Sequence, residues 1–476
     1  MRVFPIQLAI CALVCSLAST STFAQDLRAG AATSNITPSI GDNLIGGFLP
    51  VVSKHVHDEL RVRCLVLDDG KTKLALVVCD SLGIHSAVSQ EARKLIDERL
   101  KIPRECVMIC ATHTHSAPSA LGPDRYAPEP ELDDYQRFIV RRIVDGVTRA
   151  VNNLRPAEIA FGTAEAPEHV FNRRWTMRPG TIPSNPFGGA DLVQTNPGGN
   201  PNLVTPAGPT DPTISFIAVR EPGGAPISLF ASYSLHYVGG EGSAHITADY
   251  YGMFCEHLEE RWAAKHPSHA SDSPVVMLSN GTSGDVNNID FRNARPPKKP
   301  YEQMRFVAHD SADKVFESLS KCEYHSQITL AARYREAVID TRLPTDEQRE
   351  WAEKTIAKGS PEKRDLPYIY AQRTLSLAAH PKTTVIPLQV LRIGDVCLGT
   401  MPCEVFCEIG LEFKRRSPIQ PAILVSLAHG YFGYLPTPRH HDLGGYETWL
   451  GTNRLERDAS DKMLNQLLEM AEELKE

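Results

Sequence analysis

Two histidines one residue apart, His113 and His115, lie in the stretch Cys110-Ala111-Thr112-His113-Thr114-His115-Ser116-Ala117-Pro118, directly after a strand-like run from Val107 to Cys110. Side chains two apart share a face of an extended chain, so both imidazoles reach one point if the backbone stays extended there. Imidazole is the commonest metal ligand, and Thr112, Thr114 and Ser116 offer hydroxyls to orient the rings. A His-x-His by itself is more often a pair of ordinary loop histidines than a metal site. It gains weight from other reactive groups at expected strand exits. His236 follows an apolar run, Glu404 follows another and opens a helix, and Asp80 ends a third, where it can support the site or cap the next helix. The loop Ser279 to Asn288, with Ser283, Gly284, Asp285 and Asn287, is small, polar and glycine-bearing. Such a loop can bring backbone amides close to a substrate, or be a plain turn.

The elements that must position these groups are legible in outline. Leu60 to Leu67 and Lys73 to Cys79 flank Asp68-Asp69-Gly70 and read as a hairpin. Ser86 to Leu100 has helical periodicity and leads into the Val107 strand, so a βαβ unit places His113 and His115 at the carboxyl end of its second strand. Open α/β sheets bind ligands at that end. Leu132 to Leu154 reads as an amphipathic helix and Glu158 to Thr163 as a strand. Further strands are expected at Thr213 to Arg220, Pro226 to Ser234, Pro274 to Leu278, Ile328 to Tyr334, Thr384 to Ile393, Val396 to Thr400 and Ala422 to Leu427. Helices are expected after Ala248, over Tyr301 to Cys322, over Pro344 to Gly359 and at the C-terminus. The charged segment around Lys363 reads as a solvated face. Residues 177–212 are rich in Gly, Pro and Asn and read as one long surface loop, covering a pocket or disordered. The expected fold class is α/β: a mixed β-sheet core flanked by helices, with the metal site at strand C-terminal ends.

The chain has 476 residues, 42% hydrophobic and 22% charged, the balance of a globular protein with a sizeable core. Its net charge of −7 and lack of a Lys/Arg stripe speak against a nucleic-acid partner and favour small molecules. Residues 1–24 read as a secretory signal peptide: Arg2, an apolar stretch from Ile6 to Leu17, and Thr22-Phe23-Ala24 before a cleavage site. The stretch falls short of the roughly 20 residues of a membrane span. The mature chain is expected to begin near Gln25 and to be secreted or periplasmic. Of 11 cysteines, Cys11 and Cys15 leave with the leader, and the odd number remaining, without regular spacing, reads as buried thiols rather than a disulfide framework, with one or two bridges left open.

Taken together, these motifs resemble the neutral/alkaline, non-lysosomal ceramidase family, in its N-terminal catalytic domain. The resemblance rests on Ala111-Thr112-His113-Thr114-His115-Ser116, the His236 strand, Gly284-Asp285-Val286, Glu404 after Pro402, and Tyr434-Leu435-Pro436-Thr437 with Tyr446-Glu447. It implies one zinc ion per chain, held by His113, His236, Glu404 and Tyr434. It also implies that His115 is a catalytic group contacting substrate, that Arg173 is the arginine of the family's Asn-Arg motif, and that Tyr446 lies near the scissile amide. Residues 25–476 would then form one catalytic domain. Such a site would hydrolyse an amide with metal-activated water, since zinc lowers the pKa of its water to about 7. His115 would carry the proton to the leaving amine, and Arg173 and Tyr446 would stabilise the oxyanion. The expected partner is a small-molecule or lipid amide, with peripheral membrane contact left open.

Two departures from the family pattern stand out. Asn287 occupies the position where the family carries a serine proposed to matter for catalysis, with Ser283 nearby but out of register. The chain also stops soon after Tyr446, without room for the family's C-terminal β-domain. Three readings follow: a ceramidase, a related hydrolase of another N-acylated lipid or sugar, or a secreted binding protein that keeps the metal and lost turnover. Retention of both His115 and Tyr446 speaks against the last, because a structural metal needs only its ligands.

Overall fold

The computed structural model describes residues 26–47, 49–122, 131–266, 274–293, 295–360 and 365–475. The expected signal peptide, residues 1–24, lies outside the described residues.

Three larger sheets carry the site. The first has the strand order Val107–Ala111, Lys73–Cys79, Arg61–Asp68, Arg28–Asn35, Arg155–Pro156. The second runs Val275–Asn280, Pro226–Tyr233, Thr213–Arg220, Glu158–Glu165, and the third Leu330–Asp340, Thr383–Ile393, Val396–Thr400, Ala422–Val425. Each is antiparallel except for one parallel pair, at one edge of the sheet. Parallel neighbours need a crossover. In each case the crossover contains a helix: Ser86–Leu100, Asp249–Ala264 and Cys407–Arg416 respectively. The mixed α/β class expected from the sequence is therefore the observed one.

Period-two alternation lets a single strand serve two cores. In Thr213–Arg220, Ile217 and Val219 face a core shared with the other two sheets, while Ile214, Phe216 and Ala218 face the helices Asp249–Ala264 and Glu302–Leu319. Leu391, Leu398 and Val425 of the third sheet join the shared core with Val77 and Ile109 of the first. The helix Asp134–Asn152 covers the first sheet and starts at a capping box of Asp133 and Gln136. The nine cysteines among the described residues are free thiols, all buried but Cys322.

Because the inner faces share a core, the strand exits meet. His429 N donates to Ile109 O (2.8 Å), Ser426 N to Asn280 O (3.0 Å), and Asn280 Nδ2 to Thr112 O (3.2 Å), so each sheet's exit is bonded to the other two. Gly284 N donates to Val405 O at 2.8 Å, which presses the Ser279 to Asn288 loop against the strand Glu404–Val405.

One expectation is corrected. Residues 177–212 are not a bare loop: Val193–Thr195 and Leu203–Pro206 pair on either side of Arg174–Met177 in a three-stranded sheet. These strands are too short to show periodicity among the breakers. One element carried no expectation: Leu366–Ala378 is a helix capped by Asp365 with Pro367 in its first turn, a start signal that the neighbouring charges obscured. Lys363, where a solvated face was expected, lies outside the described residues.

A buried imidazole predicts acid sensitivity. His429 is hydrogen-bonded to Gln389 Oε1 (2.9 Å) and Ser89 Oγ (3.3 Å), and burial, reinforced by Arg93, holds its pKa well below that of a free histidine. The unfolded chain takes up this proton below about pH 6.5 and the folded chain refuses it. Stability should fall as pH drops below about 6.5, with His429 contributing up to about 1.4 kcal/mol per pH unit. Urea titrations between pH 7 and 5 should show a shallower slope for His429→Gln. Close packing gives a second expectation. A Cβ on Gly284 would lie 2.5 Å from Glu404 O, so Gly284→Ala should cost about 1–3 kcal/mol, read by thermal melts, whereas Gly223→Ala, with open space around it, should cost little.

Candidate metal centre and active site

The sequence expected an extended backbone to align His113 and His115. Instead the strand ends at Ala111, and His113 adopts a left-handed conformation with φ 77°. The turn still brings the rings together edge to face, with Nε2 to Nε2 at 3.2 Å. His236, three residues past the strand Pro226–Tyr233, presents its ring to His113 at a centroid distance of 4.7 Å. The three imidazoles form a group whose ligand atoms lie within 4.8 Å of one another.

Outer contacts set the tautomers. His113 Nδ1 donates to Leu82 O (2.7 Å) and His236 Nδ1 to Ser283 O (3.1 Å). Each ring thus spends its proton on a backbone carbonyl and turns the lone pair of Nε2 inward. Glu404 Oε1 accepts from Tyr431 Oη at 2.7 Å, while Oε2 stands 3.3 Å from His113 Nε2 and 3.7 Å from His236 Nε2. Both Glu404 Oε2 and His236 Nε2 are buried without a hydrogen-bond partner. Electron-rich atoms gathered this way, with no proton between them, fit a cation. Burial pushes the Glu404 carboxyl up, but His113, His236 and Tyr434 outweigh it and leave it well below the ordinary carboxylate range. Burial likewise holds His236 and His115 well below the usual histidine value, with neighbouring Arg173 and His113 adding to the effect.

His113, His115, Arg173, His236, Glu404, Tyr434 and Tyr446, expected from the sequence, all line one pocket of about 450 Å3. A larger cavity of about 710 Å3 opens elsewhere, between Ile159 to Phe161 and Arg392 to Val396, and holds none of them. His115 is as close to His113 as Glu404 is, so distance alone does not separate ligand from catalytic histidine. The surroundings of His115 differ from those of His113: it is partly exposed to the pocket, its ring stacks on Tyr237 at 3.7 Å, and it is hydrogen-bonded to the Gly46 backbone. Arg173 Nε donates to Glu447 Oε1 (2.9 Å) and its guanidinium lies 5.3 Å from the Tyr434 ring centre.

Other candidates fall outside the pocket. Ser283, Gly284, Asp285 and Asn287 do not line it; they back His236 and the Glu404 strand instead. Asp285 is spent on Cys407 N (2.8 Å) and Asn172 Nδ2 (2.7 Å), and Asn287 pairs with Phe171. Asp80 neither supports the site nor caps a helix: it binds Arg63 at 2.6 Å, and His85 caps the helix. The hydroxyls expected to orient the rings do not, since Thr114 donates to Thr247 O while Thr112 Oγ1 and Ser116 Oγ are unpartnered. Carbonyls took that role because the loop backbone already lies against the rings.

Sequence reasoning missed Tyr237, Tyr431, Thr195, Arg373 and Trp449, which also line the pocket. Tyr237 and Tyr431 were signalled only by their closeness to His236 and Tyr434. Thr195 lies in the segment whose structure was misread, and Arg373 in the helix that carried no expectation.

Comparison with known proteins follows this geometry. The sequence profile of the neutral/alkaline non-lysosomal ceramidase family, N-terminal, matches residues 28–293. No curated protein sequence matches the chain. The crystal structure of neutral ceramidase from Pseudomonas aeruginosa superposes with a TM-score of 0.70 at 19% identity, covering 94% of this chain and 74% of that one. A structure of a ceramidase complexed with C2 gives a TM-score of 0.71 at 17% identity, covering 95% and 75%. These structures share the fold, and the profile spans more than half of the sequence: the chain belongs to the neutral/alkaline non-lysosomal ceramidase family.

Proposed function

We propose that the protein is a zinc-dependent amide hydrolase that cleaves the N-acyl bond of a ceramide-type lipid. The observation that carries this reading is the convergence of His113 Nε2, His236 Nε2 and the unpartnered Glu404 Oε2 on one point at the pocket floor. With Tyr434 beside them, two neutral nitrogens, one carboxylate and a phenol make a donor set suited to zinc. A zinc ion bound there would supply positive charge to polarise a carbonyl and acidify a water.

The remaining chemistry belongs to the chain's own side chains. His115, kept neutral by its surroundings and open to the pocket, accepts a proton from the attacking water and returns it to the leaving nitrogen. Arg173 and Tyr446 donate to the carbonyl oxygen as negative charge builds on it. The carbon–oxygen bond forms, the carbon–nitrogen bond breaks, and the products are a carboxylate and an amine. In this reading water is the nucleophile, and Asn287, which does not line the pocket, leaves this chemistry intact. Ile45, Leu82, Leu366 and Trp449 give the wall the apolar character an acyl chain requires. The second reading, an N-acyl amino sugar as substrate, would need polar contacts in their place.

The purified chain should carry about one zinc and hydrolyse a fluorogenic ceramide faster than an N-acyl amino sugar. His113→Ala and Glu404→Gln should lose both the metal and more than the roughly 100-fold in activity that loss of an outer partner costs. A chain without metal would overturn the reading, and preference for the sugar would move it to the second. We also propose export with removal of residues 1–24, in which case the exported protein should begin at Gln25 by N-terminal sequencing.

A further inference from the structure

We infer that Glu447 is a positioning residue, a clamp that holds Arg173 and the cover segment around Thr195 in place over the pocket; this rests on the hydrolase reading above. Its carboxylate is fully buried and serves three segments far apart in sequence. Oε1 accepts from Arg173 Nε at 2.9 Å, and Oε2 accepts from Arg174 Nη1 at 2.5 Å and from Thr195 Oγ1 at 2.7 Å. The two arginines divide the work. Arg174 does not reach the pocket, and its Nη2 donates to Gly444 O at 2.6 Å, anchoring the turn that carries Glu447 itself. Arg173 lines the pocket and keeps Nη2 without an acceptor, beside Tyr434. Glu447 thus holds Arg173 by Nε alone and leaves its Nη2 on the pocket side, where Glu404 is the other carboxylate acting on it. Backbone contacts complete the unit, since Asn196 N donates to Arg173 O at 2.8 Å and Tyr446 is the residue before Glu447. Arg173, Thr195, Asn196 and Tyr446, which form one wall of the pocket, therefore all depend on this carboxylate.

The test compares Glu447→Gln, Thr195→Val and Arg173→Lys in the full chain. In Glu447→Gln the zinc content should stay at the wild-type level while kcat/KM on a soluble short-chain ceramide falls about 10–100-fold, the usual cost of an outer partner. Introduced into Arg173→Lys, the same change should cost clearly less than it does in the wild type, because the part of the clamp that acts through the Arg173 guanidinium is already lost. Thermolysin should cut residues 178–205 several-fold faster in Glu447→Gln and in Thr195→Val. Thr195→Val leaves no charge unpaired, so it decides the matter if Glu447→Gln fails to fold. Multiplicative kinetic effects, loss of zinc, or wild-type rates of cutting in both single variants would overturn the clamp. A wild-type chain that turns over no amide would instead overturn the hydrolase reading, and the proteolysis result would still judge the clamp.

Discussion

Two imidazole nitrogens, His113 Nε2 and His236 Nε2, stand 3.3 and 3.7 Å from the buried carboxylate oxygen Glu404 Oε2, each ring having its other nitrogen on a backbone carbonyl. Such a grouping repels itself in a medium of low dielectric, and without a cation it is costly. Everything around it serves to keep it assembled. The Leu82 and Ser283 carbonyls turn the imidazoles, Tyr431 holds the other carboxylate oxygen, and hydrogen bonds between strand exits fix the three backbones that deliver the ligands.

The architecture explains how one fold can do this. A parallel pair with a helical crossover leaves its strand ends open on one side, and each of the three sheets carries one such pair. With the inner faces buried in a common core, the three open ends have no freedom to separate. His113 leaves the first sheet, His236 the second and Glu404 the third, so the site sits where the sheets are held closest.

Around this rigid floor the pocket wall is built differently. Arg173, Thr195 and Tyr446 come from short strands and turns with little core of their own, and buried charge does the holding. A carboxylate shared by two guanidinium groups and a hydroxyl supplies directional bonds where apolar area is scarce. The floor therefore depends on hydrophobic packing and the wall on a polar network.

The sequence by itself determined the elements with long, regular periodicity: the Ser86–Leu100 helix, the Lys73–Cys79 and Val107–Ala111 strands, and the α/β class that follows from their alternation. Resemblance to a family, carried by short local motifs, singled out His113, His236, Glu404, Tyr434, His115, Arg173 and Tyr446, and these seven line one pocket. Only the tertiary structure decided how they meet. His113 reaches His115 through a left-handed turn rather than an extended strand, a choice made by the Leu82 and Ser81 carbonyls packed against it. The cover segment became a small sheet because Arg174–Met177 offered both edges for pairing, and Leu366–Ala378 took its place beside the pocket through contacts that no local pattern encodes. The loop with Ser283 and Asn287, which looked like a substrate loop, lies behind the site for the same reason: burial and partnership are set by distant segments, and residue type alone carries neither.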